Sequence, residues 1–489
     1  MNHSRRDFLK GLGGVAALGL LGQSCTSLVK GKRRQGPPNI LFLMTDQHPY
    51  FTMGHRGDPN AITPNLDKLA RSGTVFEWAY TQNPVCIPAR MSIMTGRYSH
   101  SHGSMTNYQT TPGDFPSFPQ VLRQNGYKTG CFGHLHISSR NDLDWDVVNP
   151  KTERKKWTPP PGYKDLRPFA GWNELGRPGA WEIEETVEWS KKEDTIRFIE
   201  ANADRPWFVQ CSFYKPHHPL EPPKKYWEMI DRSKLKIPDY PADDLEDVHP
   251  RHIQRMTEHK LLDITEEQIL NALQGYYGNL AFADALFGEV LDALERLGLR
   301  ENTLIVHTAD HGEMLGNHHM WMKYTFFEES VHIPLLASFP GVVPEGRSCD
   351  ALIELIDLFP TFMDFAGADT PDTVQGQSFH PAAMGKTDKH RDYVRSEFET
   401  IMLMHFDGRY KFIDNGKNVI PEMYDLEKDP REITNIAGRP ENRDGVEKMV
   451  AELRKWARTD LVEAPYKQAY YEMLEKKKIK EEASKRKGS

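Results

Sequence analysis

Four short apolar runs constrain this chain more than any other feature of it. Residues 39–45, 127–132, 207–213 and 303–308 are almost unbroken in their hydrophobicity rather than alternating. A strand with water on one face alternates polar and apolar residues; an unbroken run suits a strand buried on both faces of a parallel sheet. Each run ends in polar or ionisable residues: Asp46-Gln47, Gly133-His134-Leu135-His136, Lys215-Pro216-His217-His218 and Asp310-His311-Gly312. Ligands of open parallel sheets bind at the C-terminal strand edge. Four such endings therefore predict one site.

Between the runs lie helical patterns. Thr265 to Gln268 reads as a capping box opening a core-covering amphipathic helix that extends to Leu297. The expected fold is α/β: a large domain over 38–367, with a mixed, mostly parallel sheet sandwiched by helices. Beyond it, short runs at 391–398, 401–406 and 410–413, a turn around Met423-Tyr424 and a helix at 446–458 predict a small α+β domain with an antiparallel sheet, over 368–465. Residues 466–489 form a charged tail. The intervals 157–181 and 219–256 read as irregular insertions at a substrate rim.

Residues 1–37 stand apart as a targeting segment and linker. Arg5-Arg6 and the apolar stretch 11–21 read as a twin-arginine export signal, too short to span a membrane. Cys25 follows Gly22-Gln23-Ser24, where Ser24 fits a lipoprotein cleavage site and Gly22 does not, so a lipid anchor at Cys25 and ordinary cleavage both stay open. The expected location is periplasmic, membrane-anchored or secreted. Five cysteines are too few for a disulfide framework. A net charge of −7 argues against nucleic-acid binding.

Cys86-Ile87-Pro88-Ala89-Arg90 places a thiol where a helix begins, because proline is favoured in the first turn. Free amides and the helix dipole favour negative charge there. With Arg90 four residues on, the stretch suits a reaction on an anionic ester, although a lone cysteine is more often an inert core residue. Asp46 and Asp310 read singly as turn caps. As a pair ending two apolar strands, they read as oxygen ligands for a divalent cation such as calcium.

Cys-x-Pro-x-Arg, continued by Thr95-Gly96-Arg97, resembles the signature of the type I sulfatases of the alkaline phosphatase superfamily. The resemblance extends over 39–456 through Asp46-Gln47, Gly133-His134-Leu135-His136, Lys215-Pro216-His217-His218-Pro219, Asp310-His311-Gly312, Lys323 and Met423-Tyr424-Asp425-Leu426. It implies that a formylglycine-generating or radical sulfatase-maturing enzyme oxidises Cys86 to formylglycine, whose hydrate attacks sulfur. It implies one Ca2+ held by Asp46, Gln47, residue 86, Asp310 and His311. Catalytic roles then fall to Cys86, Arg90, His136 (the base that releases sulfate), His217 and Lys323 (at the leaving oxygen), with His134, Lys215 and His218 binding substrate. Gln47 stands where the family has an acidic residue, which makes the metal site less negative. His134 replaces a usual lysine, so anion binding there is expected to vary with pH.

The expected activity is sulfatase hydrolysis of sulfate monoesters on a sulfated carbohydrate. Choline-sulfate-type or aryl sulfatase, phosphonate or phosphodiester hydrolase, and an inactive glycan-binding lipoprotein are the alternatives.

Overall fold

A computed structural model describes residues 36–107, 115–137, 144–149, 176–241, 252, 256–257, 261, 264–399, 402–416 and 419–459. The export signal, Cys25, most of the 157–181 insertion and the charged tail lie outside the described residues.

Among the described residues nine strands build the main sheet: β1 (Asn39–Asp46), β2 (Thr74–Tyr80), β3 (Lys128–Gly133), β4 (Val147–Val148), β5 (Trp207–Pro216), β6 (Thr303–Ala309), β7 (His332–Ile333), β8 (Leu335–Ser338) and β9 (Arg347–Glu354). Their order is β4-β3-β5-β1-β6-β8-β2-β7, with β9 also on β2. The four apolar runs are β3, β5, β1 and β6, adjacent and mutually parallel. Antiparallel pairings of β8 with β6 and β2 make the sheet mixed.

Alternate residues of the central strands face two different cores. Leu41, Leu43, Val209 and Ile305 pack with Phe282, Leu286 and Val290 of the helix Glu266–Arg296. Ile40, Phe42, Phe208 and Val306 face Phe118, Phe359 and Phe362 on the opposite side, with Phe42 and Phe362 edge-to-face at 5.3 Å. Each such side chain contributes about 1.5–3 kcal/mol when withdrawn from water, which explains why neither face tolerates polar alternation. The capping box forms as expected, with Thr265 and Gln268 each accepting the other's backbone N–H.

The C-terminal region carries a second sheet, β10 (Val394–Phe398), β11 (Met402–Phe406), β12 (Tyr410–Asp414) and β13 (Glu422–Asp425), antiparallel in that order. The Met423-Tyr424 stretch, read as a turn, is its fourth strand. Its reversal is held by the Asn415 amide, which donates to the Ile420 carbonyl at 3.0 Å and Glu422 at 2.6 Å. The helix Arg443–Thr459 packs on β11 and β12. Buried Lys411 ties this sheet to the short helix Glu328–Val331 that precedes β7, its ammonium 2.5 Å from Glu328 and 2.8 Å from Glu432. The 219–256 insertion is less irregular than expected, with a short helix Lys224–Met229.

Candidate active site

The helix Cys86–Thr95 begins at Cys86 itself, with extended Val85 before it and Pro88 in its first turn. All but one of its residues are buried, so its N-terminus is driven into the sheet edge rather than lying on the surface. That edge is where β1, β3, β5 and β6 end. Gly133 makes the arrangement fit: its φ is +106°, and a Cβ there would collide with the Ser212 carbonyl. The chain can therefore turn His134 and His136 inward.

Arg90 is the hub. Its Nε donates to Asp310 Oδ2 at 2.8 Å and its Nη2 to Asp46 Oδ2 at 2.9 Å. Its Nη1 donates to Ser212 Oγ at 3.1 Å and to the His134 carbonyl. Each aspartate thus gives Oδ2 to the guanidinium, and the Oδ1 atoms lie nearer Cys86 and His311. Asp46 Oδ1 is 3.7 Å from Cys86 Sγ and 3.9 Å from His311 Nε2. Asp310 Oδ1 is 3.7 Å from His311 Nε2, which is 3.0 Å from Cys86 Sγ. His311 Nδ1 faces the Gly312 carbonyl at 2.9 Å. A carbonyl only accepts, so Nδ1 carries a proton and Nε2 is the ring nitrogen turned toward Cys86 and the aspartates.

Asp46, Cys86, Asp310 and His311 each offer a ligand atom within 4.8 Å of the others. Asp46 forms a second such group with His134 and His136. Burial and the neighbouring Asp310 charge push Asp46 well above the usual carboxylate range. Against burial, Arg90 holds Asp310 well below it. One guanidinium therefore sustains one carboxylate fully and leaves the second short of positive charge. Two carboxylates and an imidazole nitrogen converging beside residue 86 fit a hard divalent cation.

The remaining expected site residues divide. Lys323 Nζ donates to Cys86 Sγ at 3.2 Å and to Gln47 Oε1 at 2.6 Å. Burial alone would lower its ammonium, but Cys86, Tyr324 and the two aspartates hold it above its usual range. Gln47 turns at φ +65°, with its N–H on Asp310 Oδ1 at 3.1 Å. His136 belongs to that second group, its ring 4.7 Å from that of His134, and His134 Nε2 lies 3.4 Å from Asp46 Oδ2. The His217 and His218 rings are tilted against each other with centroids 3.9 Å apart, and His217 lies 4.3 Å from Tyr214 and Tyr214 4.6 Å from His134. His218 Nδ1 is 3.5 Å from Gln47 Nε2.

Lys215 is directed elsewhere. Its ammonium donates to the Pro219 carbonyl at 2.9 Å and faces the carboxylates of Glu188 and Glu221. The expectation that His134 titrates near neutrality is also revised: burial and the Arg90 charge push it well below its usual range.

Several supporting residues escaped the sequence reading. Ser212 braces Arg90. Tyr276 and Asn279, on the helix assigned only to covering the core, donate to Gln47 O at 2.9 Å and to the Pro216 and Pro219 carbonyls at 3.2 and 3.1 Å. Glu313 also lies in the site, bonded to Gln47. A lone carboxylate leading into the apolar Met314-Leu315 was its only signal.

Residues 38–368 match the sulfatase family, and residues 316–459 match the C-terminal region of N-sulphoglucosamine sulphohydrolase. Residues 2–22 match the twin-arginine translocation signal sequence, supporting export by that route. Among the described residues no helix is long and apolar enough to cross a membrane. A choline-sulfatase of Rhizobium meliloti is 29% identical over 432 residues, covering 83% of each chain. An N-acetylglucosamine-6-O-sulfatase of Bacteroides thetaiotaomicron is 26% identical over 499 residues, covering 87% of each. A phosphonate monoester hydrolase from Silicibacter pomeroyi superposes with a TM-score of 0.74 at 25% identity, over 87% of this chain and 96% of that one. The family match spans most of the chain and every strand end that meets around Cys86: the chain belongs to the sulfatase family and is a sulfuric ester hydrolase.

Proposed function

We propose that this enzyme removes sulfate from carbohydrate sulfate monoesters after export, with residue 86 matured to formylglycine and one calcium ion bound beside it. Asp46, Gln47, Asp310 and His311 would hold the ion with residue 86. The observation that carries the reading is the convergence of Asp46, Cys86, Asp310 and His311 within 4.8 Å under the Arg90 and Lys323 charges. The N-acetylglucosamine-6-O-sulfatase among its relatives supports the sugar substrate. When present, the ion polarises a sulfuryl oxygen and the aldehyde hydrate supplies the nucleophile.

The chain's own residues divide the remaining tasks by charge. Arg90 offsets the buried carboxylates, so an anionic ester can enter. His217 Nδ1 faces the His218 carbonyl at 2.7 Å, and burial holds the ring neutral. In that state its Nε2 is an acceptor at the site. Lys323, held protonated, offsets the charge on the departing oxygen. His136, grouped with Asp46 and His134 at the same sheet edge, would accept the proton when sulfate leaves.

Lys323→Ala should lower kcat by about 10²–10³-fold on a sugar sulfate, the scale of losing one oxyanion donor. On an aryl sulfate, whose phenol needs less help to leave, the loss should be about tenfold smaller. Equal losses on both esters would remove Lys323 from the leaving-group role.

Substrate class is tested with position-defined sulfated saccharides, choline sulfate, an aryl sulfate and a phosphonate monoester, measuring free sulfate or released alcohol. The highest kcat/KM is expected for a saccharide. A higher value for any of the other three rejects the carbohydrate assignment. Peptide mass around residue 86 reads maturation directly, because the aldehyde is lighter than the thiol.

A further inference from the structure

Gln47 stands between two groups of opposite hydrogen-bonding character. Lys323 is donor-only and sits 2.6 Å from its amide oxygen. On its other side Nε2 donates to Glu313 Oε2. The remaining Glu313 oxygen, Oε1, accepts the backbone N–H of Leu315 at 3.2 Å and of Met322 at 2.5 Å. Three donors thus converge on Glu313, so both its oxygens act as acceptors in this arrangement, and these contacts oppose the upward push of burial on its carboxyl. An amide caught between an ammonium and a carboxylate has one satisfied orientation. Glu313 thereby dictates which end of Gln47 faces Lys323.

The same carboxylate also holds the loop that carries Lys323. Met322 immediately precedes it, and Met322 and Tyr324 on either side have φ of +75° and +85°. These conformations are costly for residues with side chains and persist only where surrounding contacts impose them. The Met314 N–H to Met322 carbonyl bond, at 2.7 Å, closes this loop next to Glu313.

We propose that Glu313 is a positioning residue for the ester-cleaving reaction. It aims the Gln47 carbonyl at Lys323 and pins the Met322 backbone, so that the ammonium stays on residue 86. It touches neither substrate nor nucleophile and acts through Gln47, Lys323 and the loop. The proposal rests on the reading of Lys323 as a charge at the reacting centre.

Glu313→Gln tests this nearly isosterically. Oε1 can keep the two backbone bonds, but an NH2 now faces the Gln47 NH2. Either two donors confront each other, or Gln47 flips and turns its NH2 against the Lys323 ammonium. kcat should fall about 10–100-fold, the range for losing a supporting partner of an active-site group. The swap Gln47→Glu/Glu313→Gln keeps the total charge and restores donor-to-acceptor pairing at both contacts. It should recover at least about tenfold of the lost kcat.

Wild type is first shown active on whichever ester it cleaves fastest, sulfate or phosphonate. Failure of the carbohydrate assignment is thereby separated from failure of this one. Crystal structures of the variants report the Lys323 position without reference to activity, and circular dichroism confirms folding. A displaced Lys323 ammonium in Glu313→Gln, restored in the swap, is expected. If folded Glu313→Gln keeps kcat within twofold, or the swap recovers nothing, the proposal is overturned.

Discussion

Cys86→Ala should lower kcat by about 10⁵–10⁶-fold, the scale of removing an enzyme's nucleophile, while the protein melts within a few degrees of wild type. The two halves of this expectation have separate causes. The Sγ atom lies 3.0 Å from His311 Nε2, 3.2 Å from Lys323 Nζ and 3.7 Å from Asp46 Oδ1, so alanine removes the one atom on which the cluster converges. The fold does not lean on that atom. Val85 is the N-cap residue, with no side-chain cap bond, and the helix is built from backbone bonds and buried neighbours. Deleting one buried heavy atom costs about 1 kcal/mol, and Lys323 keeps its bond to Gln47. Thermal melts and single-turnover assays on the purified variant check both halves. Hydrolysis within a hundredfold of wild type would rule out residue 86 as nucleophile.

Arg90→Ala should destabilise the protein by about 3–5 kcal/mol, because removing one partner leaves buried carboxylates uncompensated. Arg90 is 2% exposed and both aspartates are fully buried, so water cannot replace the guanidinium. The loss should depend on pH with a definite sign. Arg90 holds the Asp310 carboxyl below its usual range, so its contribution is complete above the ordinary aspartate pKa of about 4 and fades as pH falls below it. In the variant, the aspartates escape their penalty by taking up protons. The gap between wild type and Arg90→Ala is therefore largest near neutrality and narrows toward acid. Denaturant melts at pH 7.5 and pH 4 measure this. A gap that is constant with pH, or below about 1 kcal/mol at neutrality, would mean that the carboxylates are stabilised by something other than Arg90. Arg90→Lys should recover only part of the loss, since a single ammonium cannot span both Oδ2 atoms in the fixed geometry of a guanidinium.

Much of the site could be anticipated because its parts are strand ends. The apolar runs carry Asp46, His134, His136, His217 and Asp310 to one edge once they pair in parallel, and Cys86 is fixed at a helix start by Pro88. Tertiary contacts revised other readings. Lys215 lies on the same strand end as His217, yet its ammonium meets Pro219, Glu188 and Glu221, which strand periodicity does not specify. His134 looks like a group titrating near neutrality until Arg90, from another element, is set against it. Glu313 had almost no local signal, since its partner Gln47 is 266 residues away.

By itself the sequence determined the strands, the capped long helix, the export signal and the types of residue that reach the sheet edge. Those properties follow from periodicity and from neighbours a few positions apart. Tertiary structure alone decided that Arg90 bridges aspartates 44 and 220 residues distant, which amide face Gln47 presents, and which imidazoles stay neutral. Such outcomes depend on distances and on the exclusion of water between elements remote in the chain, and they exist only once the core has closed around them.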